Sequence, residues 1–209
     1  MMKTEKKTND SGFSVTELIL AITIMLIIMG VVTTLFSRSL NTRSRESSKT
    51  DAQTAAQAAL NVLSREIANS GYGLVGNGLS LTDSDSQKLH FYANVQNNND
   101  TLNDPGENVT YFWEPSTQSI LRHTTNDGTG NPATSIIINR ISNVQFQYFD
   151  YVGANPVPTV NSVPSANTGR VRIRLEVVME RVMNQTNPYS VLLTTDVTLR
   201  NADYMLRNY

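Results

Sequence analysis

Cysteine is absent from the 209-residue chain. Disulfides, thiolate metal sites and thiol catalysis are excluded together, so an envelope location would be reached without covalent staples. An excess of one charge is missing too: 17 Lys and Arg stand against 18 Asp and Glu, a formal net charge of -1. Such a balance does not select nucleic acid or an anionic membrane surface as partner, and binding of either would have to be local. Histidine is scarce. His90 and His123 are the only two, too few for a His-rich metal site, and neither stands in a catalytic pattern. The G-x-S-x-G, P-loop, H-E-x-x-H and dinucleotide-binding fingerprints do not occur. The chain is therefore expected not to be an enzyme.

Against these absences stands one long apolar run. Residues 18–36, "LILAITIMLIIMGVVTTLF", carry no charge, and Thr23, Thr33 and Thr34 are their only polar members. As a helix rising about 1.5 Å per residue the run extends about 28 Å, close to the hydrocarbon thickness of a bilayer. The mean hydropathy of the whole chain, -0.27, hides this segment. A buried helix of such length would carry a polar stripe, and this one has none. It is also too long for a secretory signal peptide, and the nearest small-x-small pattern, Ser37-Arg38-Ser39, is a poor cleavage site. One acid, Glu17, lies at the edge of the run within "GFSVTEL". A carboxylate in hydrocarbon costs from about 2.5 kcal/mol and by default needs a partner.

Gly12-Phe13-Ser14-Val15-Thr16-Glu17-Leu18, preceded by the lysine-containing leader "MMKTEKKTNDS" and followed by the apolar run, resembles the N-terminal signature of type IV pilins and pseudopilins. The resemblance implies that a prepilin peptidase cuts between Gly12 and Phe13 and methylates the new amine of Phe13. It further implies that Glu17, fifth in the mature chain, attracts the N-terminal amine of a neighbouring subunit and sets axial register during assembly. The implied partners are the peptidase, other pilins or minor pilins, an inner-membrane assembly platform and the lipid bilayer. Nucleic acid is not expected.

The signature covers residues 1–36; the layout of the rest extends the likeness less specifically. A large head with long loops suits a minor pilin of the PilW-like kind, in a type IV pilus or a type II secretion pseudopilus, better than a repetitive shaft subunit. Two features depart from the pattern. The family often has a proline about twenty residues into the mature chain, where this sequence has only Gly30 and Thr33-Thr34 to soften a helix. Charge does not orient the segment either, because Lys3, Lys6 and Lys7 on one side face Arg38, Arg43, Arg45 and Lys49 on the other. A single pass through the cytoplasmic membrane with the C-terminal head outside the cytoplasm therefore rests on the resemblance. The competing reading is a single-span envelope protein with a ligand-binding β domain, in which Gly12 and Glu17 are coincidental.

The chain divides into a leader (1–12), a membrane or filament-core helix (13–36), a helical extension (37–70) and a β-rich head (71–209). Residues 37–50 are polar all round and weakly helical alone. From Asp51, Ala52, Ala55, Ala56, Ala59, Leu60, Leu63 and Ile67 recur at three- and four-residue steps, which predicts an amphipathic helix ending at Asn69-Ser70-Gly71. Beyond it the period becomes two. Val171, Ile173, Leu175, Val177 and Met179 alternate with Arg170, Arg172, Arg174, Glu176 and Glu180, a half-buried strand. Similar runs at 88–93, 109–114, 119–122, 134–141, 144–151 and 189–199 bring the expectation to about seven strands. The fold class is α+β: a long N-terminal helix packed on a mainly antiparallel sheet.

Three loops, 94–108, 123–135 and 151–169, have surface composition and the length for recognition. In the first, Asp100, Asp104 and Glu107 are candidate calcium ligands, since hard oxygens suit that ion. No register matches an EF-hand, and a solvated turn-rich loop is the other reading. Arg170, Arg172 and Arg174 could hold an anion or pair with Glu176 and Glu180 across strands.

Overall fold

A computed structural model describes residues 12–96, 101–153, 157–179 and 190–208. The chain falls into two compact units, Met1–Glu46 and Ser47–Tyr209, and helix α1 (Val15–Ala68) contributes to both. Within the first unit the apolar side chains of α1 are exposed throughout. Within the second, Ala56, Ala59, Leu60, Leu63 and Ile67 are buried, the face that the three- and four-residue spacing selects. Ala52 is only partly buried, and Ala55 is exposed. The polar stretch 37–50 is helical without interruption, and so is the turn around Gly30. Helix propagation adds a hydrogen bond for each residue fixed, so a strong apolar helix carries a weak segment along with it.

Among the described residues eight strands follow, in two four-stranded antiparallel sheets where a single sheet was expected. The first sheet orders β1 (Lys88–Tyr92), β2 (Asn108–Glu114), β3 (Ser119–Thr124) and β4 (Ala133–Ile138) as a meander. The second orders β6 (Thr159–Asn161), β5 (Ile141–Asp150), β7 (Thr168–Val178) and β8 (Ser190–Thr198). A short helix, α2 (Asp203–Asn208), closes the chain. The switch between sheets lies at Arg140, whose φ of 62° turns the backbone out of the strand conformation. The apolar run 134–141 is thereby split, and Ile141 opens β5. The Ile141 amide donates to the Gln118 carbonyl (2.8 Å) and the Phe146 amide to the Ser86 carbonyl (2.8 Å), so backbone bonds tie β5 to the residues that precede β3 and β1.

One core serves the helix and both sheets, with Leu63, Tyr111, Ile120, Phe146, Tyr148 and Ile173 fully buried in it. Tyr111 donates its hydroxyl to Glu66 Oε2 (2.7 Å), which also accepts from Arg122 Nε (2.9 Å), a polar tie from α1 to the first sheet. Tyr148 donates to the Asp85 carbonyl at 2.9 Å. Burial, and then the negative charge of Glu66 or Asp85, pushes both phenols far above the ordinary tyrosine range. For Arg122, burial alone would lower the pKa, and Glu66 and Tyr111 together reverse it.

The sign for the phenols is definite. A proton held more tightly in the folded state contributes stability below the unfolded pKa of about 10 and loses it as pH rises beyond. An absorbance titration is expected to leave at least these two of the eight tyrosines protonated near pH 11 until the fold opens. Ionisation of all eight with the circular dichroism unchanged would contradict this burial.

Candidate functional site

The start of α1 answers part of the puzzle posed by Glu17. Ser14 stands just before the first helical residue, and its carbonyl accepts the Leu18 amide at 3.1 Å. Its own amide donates to Glu17 Oε2 (3.0 Å), while its hydroxyl accepts from the Thr16 amide at 3.3 Å. A Ser followed three residues later by a Glu that reaches back to the Ser amide is the capping-box arrangement. The acid therefore satisfies one orphan donor and complements the positive end of the helix dipole. Ser14-Val15-Thr16-Glu17 carries the S-x-x-E signal for this, which the reading of Glu17 as an assembly residue alone passes over. Glu17 is exposed, and its other oxygen makes no hydrogen bond among the described residues.

Gly12 and Phe13 precede the helix and are exposed, Phe13 at 84%. A Cβ built on Gly12 would meet nothing within 4 Å, and the residue does not occupy the left-handed region that favours glycine. Among the described residues, the fold thus sets no requirement for glycine at position 12.

The threonines of the apolar run are internally satisfied. Thr23 donates to the Ile19 carbonyl, Thr33 to Met29 and Thr34 to Gly30, each at 2.8 Å. Such back-bonding lets a hydroxyl sit in hydrocarbon without an orphaned donor.

The other candidates divide. Glu107 is fully buried, with Oε1 accepting the Gln96 amide (3.2 Å) and Oε2 the Asp104 amide (3.0 Å). Its carboxylate holds the backbone of Gln96 and of Asp104, a role sequence reasoning missed for want of any local pattern. Asp100 lies outside the described residues. Among the described residues no three His, Cys, Asp or Glu side chains gather as a metal site.

The arginines of β7 find their acid on β8. Arg172 grips Asp196 with two bonds, 2.6 and 2.9 Å, and Arg170 reaches the same carboxylate at 3.5 Å. Asp196 is held below the usual carboxylate range, first by the Arg172 hydrogen bond, against a smaller opposing effect of burial. Arg170 and Arg172 also stack on Phe149, at 4.1 and 5.0 Å from the ring centre. Arg174 donates to Gln145 Oε1 (3.4 Å), and Glu176 accepts from Ser190 (2.7 Å) instead of pairing with arginine. Glu180 lies outside the described residues.

Asp150, buried at the start of the 151–169 loop, is a second acid that organises a loop. Its oxygens accept Asn161 Nδ2 (2.8 Å), Ser165 Oγ (2.7 Å) and Thr168 Oγ1 (2.6 Å).

Fold and sequence together define the class: an α+β protein with one N-terminal helix long and apolar enough to cross a membrane once, none of its apolar window buried in the chain. No protein-family model matches this chain, and no curated protein matches it.

Proposed function

We propose that the chain is a minor pilin or pseudopilin, a structural subunit processed by a prepilin peptidase and incorporated into a type IV pilus or a related fibre. The observation that carries the reading is Gly12. Glycine stands before Phe13 at a position where the fold asks for no glycine, which supports a requirement imposed from outside, by a peptidase. The apolar helix behind it, exposed along its length, supports a membrane-stored subunit whose helix later enters a fibre core. Glu17 has two compatible tasks: it caps its own helix through Oε2 and presents its other oxygen to the amine of a neighbour. Other pilins, an assembly platform in the cytoplasmic membrane and the bilayer are the partners in this account, with the head outside the cytoplasm and no catalytic role. The capping box also favours a second reading, a plain single-span anchor in which Glu17 needs no partner beyond Ser14.

The two readings separate in one assay. Gly12→Val is expected to leave the precursor uncut by a prepilin peptidase, although the side chain has open space. Glu17→Ala is expected to be cut normally but to enter the fibre poorly. Loss of the cap costs about 0.5–2 kcal/mol at one helix end, too little to unfold the head. A parent chain left uncut by the peptidase and absent from the fibre would favour the plain anchor, and unchanged incorporation of Glu17→Ala would remove the assembly role of Glu17.

A further inference from the structure

The second unit carries a cleft of about 870 Å³ that the proposed function does not use. Ala68, Val197 and Leu206 give its lining an apolar part, and Arg65 and Arg200 line it as well. Leu206 is 63% exposed for lack of a cover. Both arginines are exposed, and among the described residues neither makes an ion pair. The one acid at the cleft, Asp196, has its two oxygens engaged by Arg172. The free charge at the site is therefore positive.

The cleft also runs along a strand edge. Asp196, Val197 and Thr198 are consecutive and all line it, although successive side chains of a strand point to opposite faces. Val197 is itself buried in the core, so a cleft that meets all three fits the margin of the sheet, where β8 lies. β8 is the terminal strand of its sheet, paired with β7 alone, so the N–H and C=O groups on its outer side are unpaired among the described residues. The strand is nine residues long and contains neither lysine nor proline, and its single charge, Asp196, is engaged by Arg172.

We infer that this cleft docks an acidic, extended segment of a partner protein, which adds to the edge of β8 as a further strand and sets a carboxylate against Arg65 and Arg200. Strand addition supplies main-chain hydrogen bonds, and the apolar lining and the arginines select the side chains. Arginine suits the carboxylate because its planar fork bonds both oxygens. An anionic lipid headgroup would use the arginines but leave the strand edge unpaired, so the geometry favours a peptide.

The test uses the full chain in detergent micelles and a fluorescent nine-residue peptide of alternating valine and glutamate, followed by anisotropy. Saturable binding is expected, weakened about tenfold or more by the joint Arg65→Glu and Arg200→Glu substitutions and by replacing the peptide's glutamates with glutamine. N-methylation of alternate peptide amides, which keeps the charge and blocks strand pairing, is expected to abolish it. Both arginines are exposed, so the variants should keep the parent melting temperature; the milder Arg65→Gln and Arg200→Gln pair should show the same direction. The inference is overturned by absence of saturable binding, by equal affinity of the glutamine or N-methylated peptide, or by indifference to the arginine variants. Displacement of the peptide by glycerol phosphate alone, at concentrations where chloride has no effect, would overturn it in favour of a headgroup site.

Discussion

Gly78→Ala is expected to prevent stable folding of the head. Gly71 and Gly78 lie back to back where the chain leaves α1, with φ of 77° and 72°. A Cβ on Gly78 would fall 2.2 Å from the Gly71 nitrogen and 2.5 Å from the Tyr92 carbonyl oxygen, both backbone atoms that cannot rotate away. Those same atoms are bonded to each other: the Gly71 amide donates to the Tyr92 carbonyl, and the Tyr92 amide donates to the Gly78 carbonyl, each at 2.8 Å. The substitution therefore breaks the bonds that tie the helix end to β1 and adds the left-handed penalty of about 1–2 kcal/mol. A total of about 4 kcal/mol or more is a large share of the 5–15 kcal/mol that stabilises a typical domain. Gly76→Ala is the control, because its φ is 91° but its surroundings are open. It should carry the conformational penalty alone. Equal melting temperatures for the two variants would contradict this packing.

Leu63→Ala should be among the most damaging single truncations on α1. Leu63 is fully buried in the core that the helix shares with both sheets. Removing its side chain costs the transfer free energy of the lost carbons and leaves a cavity that rigid strands cannot collapse to fill. Leu→Ala substitutions in such positions cost about 3–5 kcal/mol. At about 2–4 °C per kcal/mol for a unit of this size, the melting temperature should fall by about 6–20 °C. Ala55→Ser, on the exposed flank of the same helix, should change stability by no more than about 0.5 kcal/mol. If the two substitutions proved equally mild, the helix would not be an integral part of the head.

The features legible in the sequence were those with a local period. Leu60, Leu63 and Ile67 repeat on one helical face and are buried; Val171, Ile173, Leu175 and Val177 alternate and are buried. The S-x-x-E cap at Ser14 and Glu17 had a local signal as well, masked by attention to the acid's place beside hydrocarbon. What was not legible depends on partners distant in the chain. Asp196 lies 24 positions after Arg172, and nothing nearby distinguished it from Glu176 as the arginine's acid. Pairing of β7 with both β5 and β8 follows from the path of the whole chain, so the division into two sheets has no local cause. Strand β6 is three residues within a proline-rich loop, too short to show a period. Ala55 fits the apolar spacing yet faces out, because alanine carries too little apolar surface to decide a face.

Glu107 and Asp150 carry a related lesson. Both are buried acids within or beside long loops, and each accepts hydrogen bonds from described residues of its loop. An Asn- and Asp-rich segment read for metal ligation can owe its acids to backbone amides instead, since buried donors need acceptors as much as a cation does.

Processing at Gly12 separates a pilin from a simple anchor, and the mature N-terminus tests it most directly. Mass spectrometry of the protein from native membranes should find a chain that begins at Phe13 with a methylated amine. A chain that still begins at Met1 or Met2 would contradict the pilin reading and leave a simple anchor, and one that begins near Leu40 would make the protein a secreted one.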